Sequence, residues 1–534
     1  MSTVLLQPCD ERAITTATGV NPCARKAESW ILAGTILGSS MVFIDGTAVN
    51  VALPALQKNL EATVSDVQWV VESYALFLAA LMLVGGSMGD RFGRRRMFCI
   101  GASVFALASI WCGIAPDVSQ LIVARAVQGV GGALLVPGSL AMIRSSFPEE
   151  KRGKAIGTWS GFSAITTAIG PVLGGWLIEH VSWRAVFFIN VPLAIAVLLI
   201  TYWRARESRV DQGGKQDWPG AVLVTAGLGS VVYGLIESSS AGFGQVRVIF
   251  AILAGTAMFG LFLIVETRTD NPMLPLTLFK SRNFSGANLL TLFLYTALSG
   301  ALFFLPLNLI QVQGYSATAA GAAFLPFVLM MFVLSRWSGG LITRYGAKLP
   351  LVIGPAIAAG GYGLFIIPGI GQSYWTAFFP AVLVLGLGMA TSVAPLTTAV
   401  MNAVSENRAG VASGINNAVS RMAGLLGIAC LAIVMVHAFS NSMDARLSEL
   451  RLTPEQRSLV DEQRVRLAGA DLGREFDEAT KARLRLAIDE SFLHGFRLVM
   501  AAAIVLALAS ALSAFMMIEG GGAGEVKTTL SESV

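Results

Sequence analysis

The sequence predicts an all-α membrane protein with fourteen transmembrane helices, arranged as two pseudo-symmetric six-helix bundles with two helices inserted between them. Three observations support this prediction: an apolar composition, a series of long apolar runs, and an internal repeat. Of the 534 residues, 54% are hydrophobic and 13% are charged, whereas a soluble domain carries about 25% charged residues. The composition therefore indicates a chain that lies largely in lipid.

Fourteen apolar runs are long enough to cross about 30 Å of hydrocarbon. They span residues 30–54, 68–89, 97–115, 119–143, 154–179, 184–203, 218–238, 246–266, 286–310, 318–342, 349–370, 374–400, 409–436 and 493–518. Residues 1–28 are polar and lack the basic start and short apolar core of a secretory signal. The first run is therefore expected to remain as a membrane span.

The chain repeats itself at an offset of 253 residues, because residues 86–95 recur as 339–348. The same offset carries Gly157, Gly161 and Gly174 onto Gly410, Gly414 and Gly427. The repeat pairs runs that are eight spans apart. Two adjacent six-span halves would give an offset of six spans, so two extra spans are expected between the halves. An internal repeat in an apolar chain is typical of a transporter built from two related halves.

This layout divides the chain into five predicted parts, listed here in order. They are a tail at 1–28, a six-helix bundle at 29–203, two inserted helices with linkers at 204–283, a second bundle at 284–518, and a tail at 519–534. Lys and Arg concentrate in the loops on one side, where Arg91, Arg94 and Arg95 lie. Because basic loops stay in the cytoplasm, both tails are predicted to be cytoplasmic. The net charge of +5 reflects this asymmetry rather than nucleic-acid binding.

The longest hydrophilic segment, residues 437–490, lies between the last two spans on the predicted outer side. Within it, Thr453-Pro454-Glu455-Gln456 has a capping residue, a first-turn proline and a glutamine at the capping-box position. We expect one or two short amphipathic helices there. The segment is interpreted either as a solvated hairpin or as a docking site for a partner, such as a periplasmic adaptor protein.

A charged motif follows the second span: Gly86-Ser-Met-Gly-Asp90-Arg91-Phe-Gly93-Arg94-Arg95. Its glycines allow two helix ends and a tight turn to approach closely. Asp90 is predicted to accept amide hydrogens at the N-terminus of a neighbouring helix, as a latch that holds in one conformation and releases in the other. In the second copy Thr343 replaces the acid, so the latch is expected to be one-sided.

This motif resembles the loop signature of the major facilitator superfamily, and five further sequence features extend the resemblance over residues 30–518. Arg125-Ala-Val-Gln128-Gly129 is similar to the second signature of its drug exporters, and Gly170-Pro171-Val-Leu-Gly174-Gly175 to its antiporter signature. Asp45-Gly-Thr47-Ala-Val-Asn50, Trp183-Arg184 with Asn190, and Arg421 resemble features of the fourteen-helix drug:proton antiporter branch. The antiporter signature usually has one more glycine, at the position of Thr166.

Ionisable residues inside membrane spans are costly and are therefore functional candidates. Asp45, Glu72 and Arg125 fall at comparable depth in the outer half of the first bundle and are the proton-coupling candidates. Asp45 is the first choice; its alternative is a structural hydrogen bond. Glu72 is the second choice, with snorkelling to water as its alternative. Arg421 is interpreted as a gate or as the partner of a nearby carbonyl.

The resemblance implies proton-driven export of amphipathic, cationic compounds across a bacterial cytoplasmic membrane. Asn50, Gln128, Tyr74 and Trp159 are the predicted substrate-binding residues. The chain contains no phosphate-binding loop for ATP and its five cysteines have no metal-ligand spacing, so we predict no enzyme activity, no cofactor and no metal. Two alternatives remain open: export of one dedicated substrate, and a membrane sensor or scaffold.

Overall fold

The computed structural model describes residues 22–208, 217–269, 272–405, 409–450, 452–472 and 476–519. Within these ranges the chain forms fourteen principal helices and no strand. They are α1 Pro22–Asn59, α2 Val64–Phe92, α3 Arg94–Ile114, α4 Val118–Ser146, α5 Glu149–His180, α6 Asn190–Arg204, α7 Trp218–Ala241, α8 Val246–Arg268, α9 Arg282–Leu307, α10 Leu325–Gly339, α11 Lys348–Leu364, α12 Phe379–Asn402, α13 Ala409–Glu449 and α14 Glu478–Met517. The predicted all-α membrane fold is confirmed.

Shorter helical segments adjoin several of these helices. They are Ala185–Phe188, Leu276–Lys280, Asn308–Val312, Ala317–Ala322, Leu341–Tyr345, Tyr374–Ala377, Pro454–Gln463 and Arg464–Gly469. In the described part of the chain, thirteen helices are long and apolar enough to cross a membrane. The eleventh predicted run, 349–370, is the exception because α11 is 17 residues long and ends at Leu364.

The packing of the first bundle, α1–α6, recurs eight helices later in the second bundle, α9–α14. In the first bundle α2 packs on α4, α3 on α4, and α1 on α5 and α6. In the second bundle α10 packs on α12, α11 on α12, and α9 on α13 and α14. The same helix pairs are therefore used twice, and α7 with α8 forms a separate hairpin.

The two bundles meet along two seams. In one seam α5 packs against the short helix Ala317–Ala322 and the start of α10. In the other seam α2 packs against α13, and the inserted helix α7 contacts both of them. The offset of the sequence repeat exchanges α2 with α10 and α5 with α13, so the two seams are equivalent except that α7 covers only one of them.

The hydrophilic segment 437–490 folds mainly as extensions of α13, which continues to Glu449, and of α14, which begins at Glu478. Between them lies the helix Pro454–Gln463, whose predicted capping box is confirmed: the Thr453 hydroxyl accepts the Gln456 N–H, and the Gln456 side chain accepts the Thr453 N–H. An ion pair of 2.6 Å between Arg464 and Asp444 fixes this part of the chain to α13.

The following turn, Arg464–Gly469, lies over the ends of helices from both bundles. Its Leu467 and Ala468 are 1% exposed. Arg485 of α14 donates to the carbonyl of Ala468 and also to that of Gln311. The side chain of the same Gln311, which belongs to the second bundle, donates to Gln57 of the first bundle at 2.8 Å. We call this side of the molecule the opposite face, and the side that carries Arg94 the arginine-rich face.

Candidate functional site

A buried ion pair occupies the interior of the first bundle. Asp45 of α1 and Arg125 of α4 are 0% and 1% exposed, and Arg125 Nη1 donates to Asp45 Oδ2. A charge removed from water is tolerated only when its partner and its remaining hydrogen bonds are in place. The structure brings together the acid and the base that the sequence had placed at similar depth.

Three further side chains and one carbonyl complete the hydrogen bonds around this pair. Asp45 Oδ1 accepts from Gln128 Nε2 at 2.9 Å and from Asn190 Nδ2 at 3.1 Å. Ser109 accepts from the same Gln128 nitrogen at 2.8 Å. Arg125 donates to the Gln128 side chain at 2.6 Å, and its Nε donates to the backbone carbonyl of Val70 at 3.0 Å. The network therefore joins α1, α2, α3, α4 and α6, so a change at Asp45 acts on five helices.

Tyr74 of α2 covers the Arg125 guanidinium, with 4.1 Å between the guanidinium carbon and the ring centroid. Its hydroxyl donates to the Val42 carbonyl at 3.2 Å. Tyr74 and Gln128 are 4% and 0% exposed, and both contact the ion pair. Their predicted role in substrate binding is thus limited to a conformation in which this network opens, and it stays a prediction.

The other two predicted substrate-binding residues lie apart from the ion pair. Asn50 is half-buried, about one and a half turns beyond Asp45 on α1. Trp159 of α5 is half-buried, and its indole N–H donates to Ser39 of α1 at 3.0 Å. Ser39 in turn donates to Ser139 of α4 at 2.8 Å. This indole contact, which sequence reasoning did not find, orients a large ring between α1 and α5.

Glu72 is separated from the pair by the body of α2. It is 0% exposed, and neither carboxylate oxygen has a hydrogen-bond partner. The Glu72 side chain therefore does not reach water in this conformation, and the snorkelling alternative does not apply to it. Since successive residues of a helix are 100° apart, Glu72 points away from Val70, whose carbonyl holds Arg125. Of the three proton-coupling candidates, the structure brings two together and leaves the third alone.

Arg421 of α13 is the charged residue that the second bundle contributes near this site. It is half-buried, and it lies close enough to Tyr74 for the two side chains to interact electrostatically. Across the described ranges, Arg421 has no ion-pair partner. It therefore places a positive charge near Tyr74, which covers Arg125. The role of Arg421 as a gate stays a prediction.

The predicted latch residues form the turn between α2 and α3. Gly93 has φ of +106°, a conformation that favours glycine, and Gly86 packs on Pro137 of α4. Asp90 forms an ion pair of 2.7 Å with Arg94, while Arg91 stacks on Phe92. In this conformation the Asp90 carboxylate is thus engaged within its own motif. The role of the motif as a latch stays a prediction.

The N-terminus of α3 is instead capped by Glu207, which sequence reasoning missed. Its two oxygens each accept a backbone N–H at 3.0 Å, from Arg95 and from Arg96. The Arg95 side chain donates to the nearby Ala205 carbonyl at 3.2 Å. A carboxylate is favoured at this position because it satisfies free amides and complements the helix dipole. No local pattern could have identified it, since Glu207 lies 112 residues from Arg95.

Replacing Glu207 with alanine is expected to lower the free energy of unfolding by about 1–2 kcal/mol, because two amides at the start of α3 lose their acceptor. Glu207→Gln retains one acceptor oxygen and should lose about half as much. Thermal unfolding of the purified protein in detergent measures both values. Equal stability of wild type and Glu207→Ala would show that water replaces the cap without cost.

The antiporter motif forms a close helix contact. A Cβ at Gly174 would overlap Ala48 of α1, and one at Gly170 would overlap Thr47. On the other side of α5, a Cβ at Gly175 would overlap the Ala317 carbonyl, and Gly321 meets the Pro171 carbonyl in the same way. Small residues let helix backbones approach in lipid. Gly170 and Gly174 therefore bring α5 against α1, whereas Gly175 and Gly321 close the seam between α5 and the second bundle.

The chain is similar over most of its length to membrane transporters. The family described as Major Facilitator Superfamily matches residues 35–428. The tetracenomycin C resistance and export protein of Streptomyces glaucescens is 34% identical over 78% of this chain and 77% of its own. The multidrug resistance protein Stp of Mycobacterium tuberculosis (strain CDC 1551 / Oshkosh) is 34% identical over 81% of this chain and 80% of its own.

The fold also resembles that of a solved transporter. A bacterial homolog of the human lysosomal transporter Spinster, in an inward-facing and unoccupied conformation, superposes with a TM-score of 0.68. The two chains are 17% identical, and the superposition covers 93% of this chain and 98% of the other. At this identity the likeness concerns the fold alone.

Proposed function

We propose, from the premise that this chain belongs to the Major Facilitator Superfamily and is a membrane transporter rather than an enzyme, that it exports amphipathic drugs in exchange for protons. The two bundles would rock about their seams and expose the interior to each side in turn. The proton gradient supplies the energy in this scheme, and no cofactor is required. The proposed location is the bacterial cytoplasmic membrane, with the arginine-rich face and both tails in the cytoplasm.

The observation that carries this proposal is the buried network around Asp45 and Arg125. The ion pair has two possible states: a charged acid bound to the arginine, or a protonated acid with the arginine released. Its hydrogen-bond network joins five helices, so a change of state reaches all of them. Binding of a proton therefore has a direct route to helix movement. The carboxylates of the first bundle also favour a cationic substrate, so a drug and a proton would compete for negative charge.

The experiment is ethidium transport in proteoliposomes under an imposed pH gradient, with Asp45→Asn compared with wild type. Asparagine retains an acceptor for Arg125 but carries no proton, so we expect ethidium binding to persist and gradient-driven flux to be lost. Asp117→Asn is the matched control, because Asp117 caps α4 at Gln120 and asparagine caps equally well. Equal flux in Asp45→Asn and wild type would move the coupling proton to another residue.

A dedicated substrate is the second candidate function, and the name of the Streptomyces glaucescens relative favours it. In this case the same proton-driven fold exports one antibiotic or metabolite. Proteoliposomes distinguish the two functions: transport of several unrelated dyes supports the broad exporter, whereas pH-driven transport of one compound alone supports the dedicated one. Ethidium flux absent from the wild type would also favour the dedicated substrate.

The segment around Pro454–Gln463 is the proposed site for a periplasmic adaptor protein, where the host has two membranes. Much of this helix is exposed, including Glu455 and Arg457, and the Thr453–Gln456 capping box stabilises its start. Co-purification of the chain with an adaptor, and loss of the complex on substitution of these two charges, would support the assignment. An intact complex in the variant would exclude this surface.

A further inference from the structure

One helix of the inserted hairpin breaks the symmetry of the two bundles. Among the described residues, no inserted helix packs against both bundles at the seam between α5 and α10, whereas α7 lies against α2 and α13 at the equivalent seam. A single apolar cluster joins the three helices. Its buried members are Leu76 and Ala79 of α2, Leu228, Val232 and Ile236 of α7, and Leu425 and Ala429 of α13. The insert thus covers one of the two seams between the bundles.

Glu72 lies within this seam. It belongs to the stripe of α2 that runs through Trp69, Leu76 and Ala79, since residues three or four apart share a helix face, and these three residues belong to the seam cluster. Glu72 is 0% exposed, and both of its oxygens lack a partner. Gln68, one turn earlier, is also 0% exposed, and its amide oxygen and nitrogen have no partner either.

Packing alone does not require an acid at this position. The sequence repeat places Leu325 of α10 at the position that corresponds to Glu72, since the offset is 253 residues. A leucine therefore occupies the corresponding site of the sister seam. Burial of an unpaired, charged carboxylate is strongly unfavourable, and a neutral, protonated carboxyl group largely avoids this cost.

The groups around Glu72 do not supply a counter-charge. From α13 the thiol of Cys430 lies close enough to interact with it electrostatically. From α7 the ring of Tyr233 lies 6.2 Å from that of Trp69. On the far side of α2, Arg125 of α4 is committed to Asp45 and to the Val70 carbonyl. Arg421 of α13 interacts electrostatically with Tyr74. In the described part of the molecule, neither Arg421 nor any other cation forms an ion pair with Glu72.

We propose that Glu72 is a second proton-carrying residue of the transport cycle, loaded in the conformation described here, and that α7 keeps it dry. This inference rests on the proposed proton-driven export. The carboxylate takes up one proton while the seam is hydrated, and the neutral acid is buried when α2, α7 and α13 close. Movement of α2 against α13 readmits water, and the O–H bond then breaks to release the proton to the other side.

The test compares Glu72→Gln, a mimic of the neutral acid, with wild type and with Gln68→Leu. The last variant is the matched control because it removes an unpartnered polar side chain from the same face of α2 without removing an acid. Substrate accumulation is measured against the size of the pH gradient, with the membrane potential clamped. We expect Glu72→Gln to accumulate about tenfold less per pH unit of gradient, which corresponds to one coupled proton. Gln68→Leu should follow wild type.

A second measurement reads the proton directly. Infrared difference spectra of wild type minus Glu72→Gln should show the carbonyl band of a protonated carboxylic acid. Glu72→Leu, which introduces the residue found at Leu325 of the sister seam, should lack the same band. An unchanged gradient dependence in Glu72→Gln, or absence of the band, would overturn the proposal. If wild type shows no pH-driven transport, the proposed function fails, and the infrared band alone then decides the protonation of Glu72.

Discussion

Gly175→Leu is expected to abolish transport, because the side chain would occupy the place of a neighbouring backbone. A Cβ at Gly175 would already overlap the Ala317 carbonyl and lie 2.8 Å from the Thr318 Cα. Backbone atoms at the start of a helix cannot rotate away as a flexible side chain does, so the short helix Ala317–Ala322 must separate from α5. The seam would then remain open at the opposite face, and the cycle would stop in one conformation.

Gly161→Leu is the matched control, since it makes the same change on the same helix at a position where a Cβ meets nothing within 4 Å. Both variants replace a glycine by a better helix former, so a difference between them reports the contact. Drug transport in proteoliposomes gives the functional effect. Spin labels at the exposed positions Lys58 and Ser373, one in each bundle, should move apart in Gly175→Leu and remain unchanged in Gly161→Leu. Wild-type transport by Gly175→Leu would show that this contact is not part of the cycle.

The second large effect concerns the stability of the buried ion pair. Asp45→Leu leaves the guanidinium of Arg125 in the bundle without its counter-ion and should cost about 3–5 kcal/mol of unfolding free energy. Arg125→Met leaves Asp45 with two amide donors, from Gln128 and Asn190, and should cost about 1–3 kcal/mol. Both side chains keep neutral hydrogen-bond partners in the single variants. The cost is larger for Asp45→Leu because the guanidinium of Arg125 cannot be deprotonated and must stay charged in the bundle.

The double variant Asp45→Leu/Arg125→Met separates the cost of a lone charge from the value of the pair. Replacement of both charges by apolar groups is often close to neutral, so the double variant should be more stable than Asp45→Leu alone. Unfolding in detergent followed by tryptophan fluorescence measures the four members of the cycle. A double variant whose loss equals the sum of the single losses would mean that the two side chains do not interact.

Features that depend on neighbouring residues could be predicted from the sequence. The Thr453–Gln456 capping box involves residues three apart, and it forms as expected. Helix position and direction also fix approximate depth, because each residue advances 1.5 Å along a helix. This was enough to place Asp45 and Arg125 at one level, and the structure shows them in contact. The family resemblance, carried by motifs at helix ends, is confirmed by the match over residues 35–428.

Features that depend on which helix faces meet could not be predicted in the same way. Periodicity gives Gln128 a position on α4 but does not reveal that its amide bridges Asp45, Arg125 and Ser109. The cap of α3 by Glu207 joins residues more than a hundred positions apart. In lipid every face of a helix is apolar, so the alternation of polar and apolar residues that orients helices in water is weak.

The sequence by itself determined the class of the molecule, because the need to satisfy every backbone group in lipid leaves helices as the outcome for apolar runs of this length. It also determined the repeat, and with it the two bundles and the insert. Only the tertiary structure decided that α7 covers the α2–α13 seam and that Glu72 is buried. The reason is physical: the surroundings of a side chain on α2 are set by helices more than a hundred residues away, and their rotation and contact are fixed by close packing across the whole assembly.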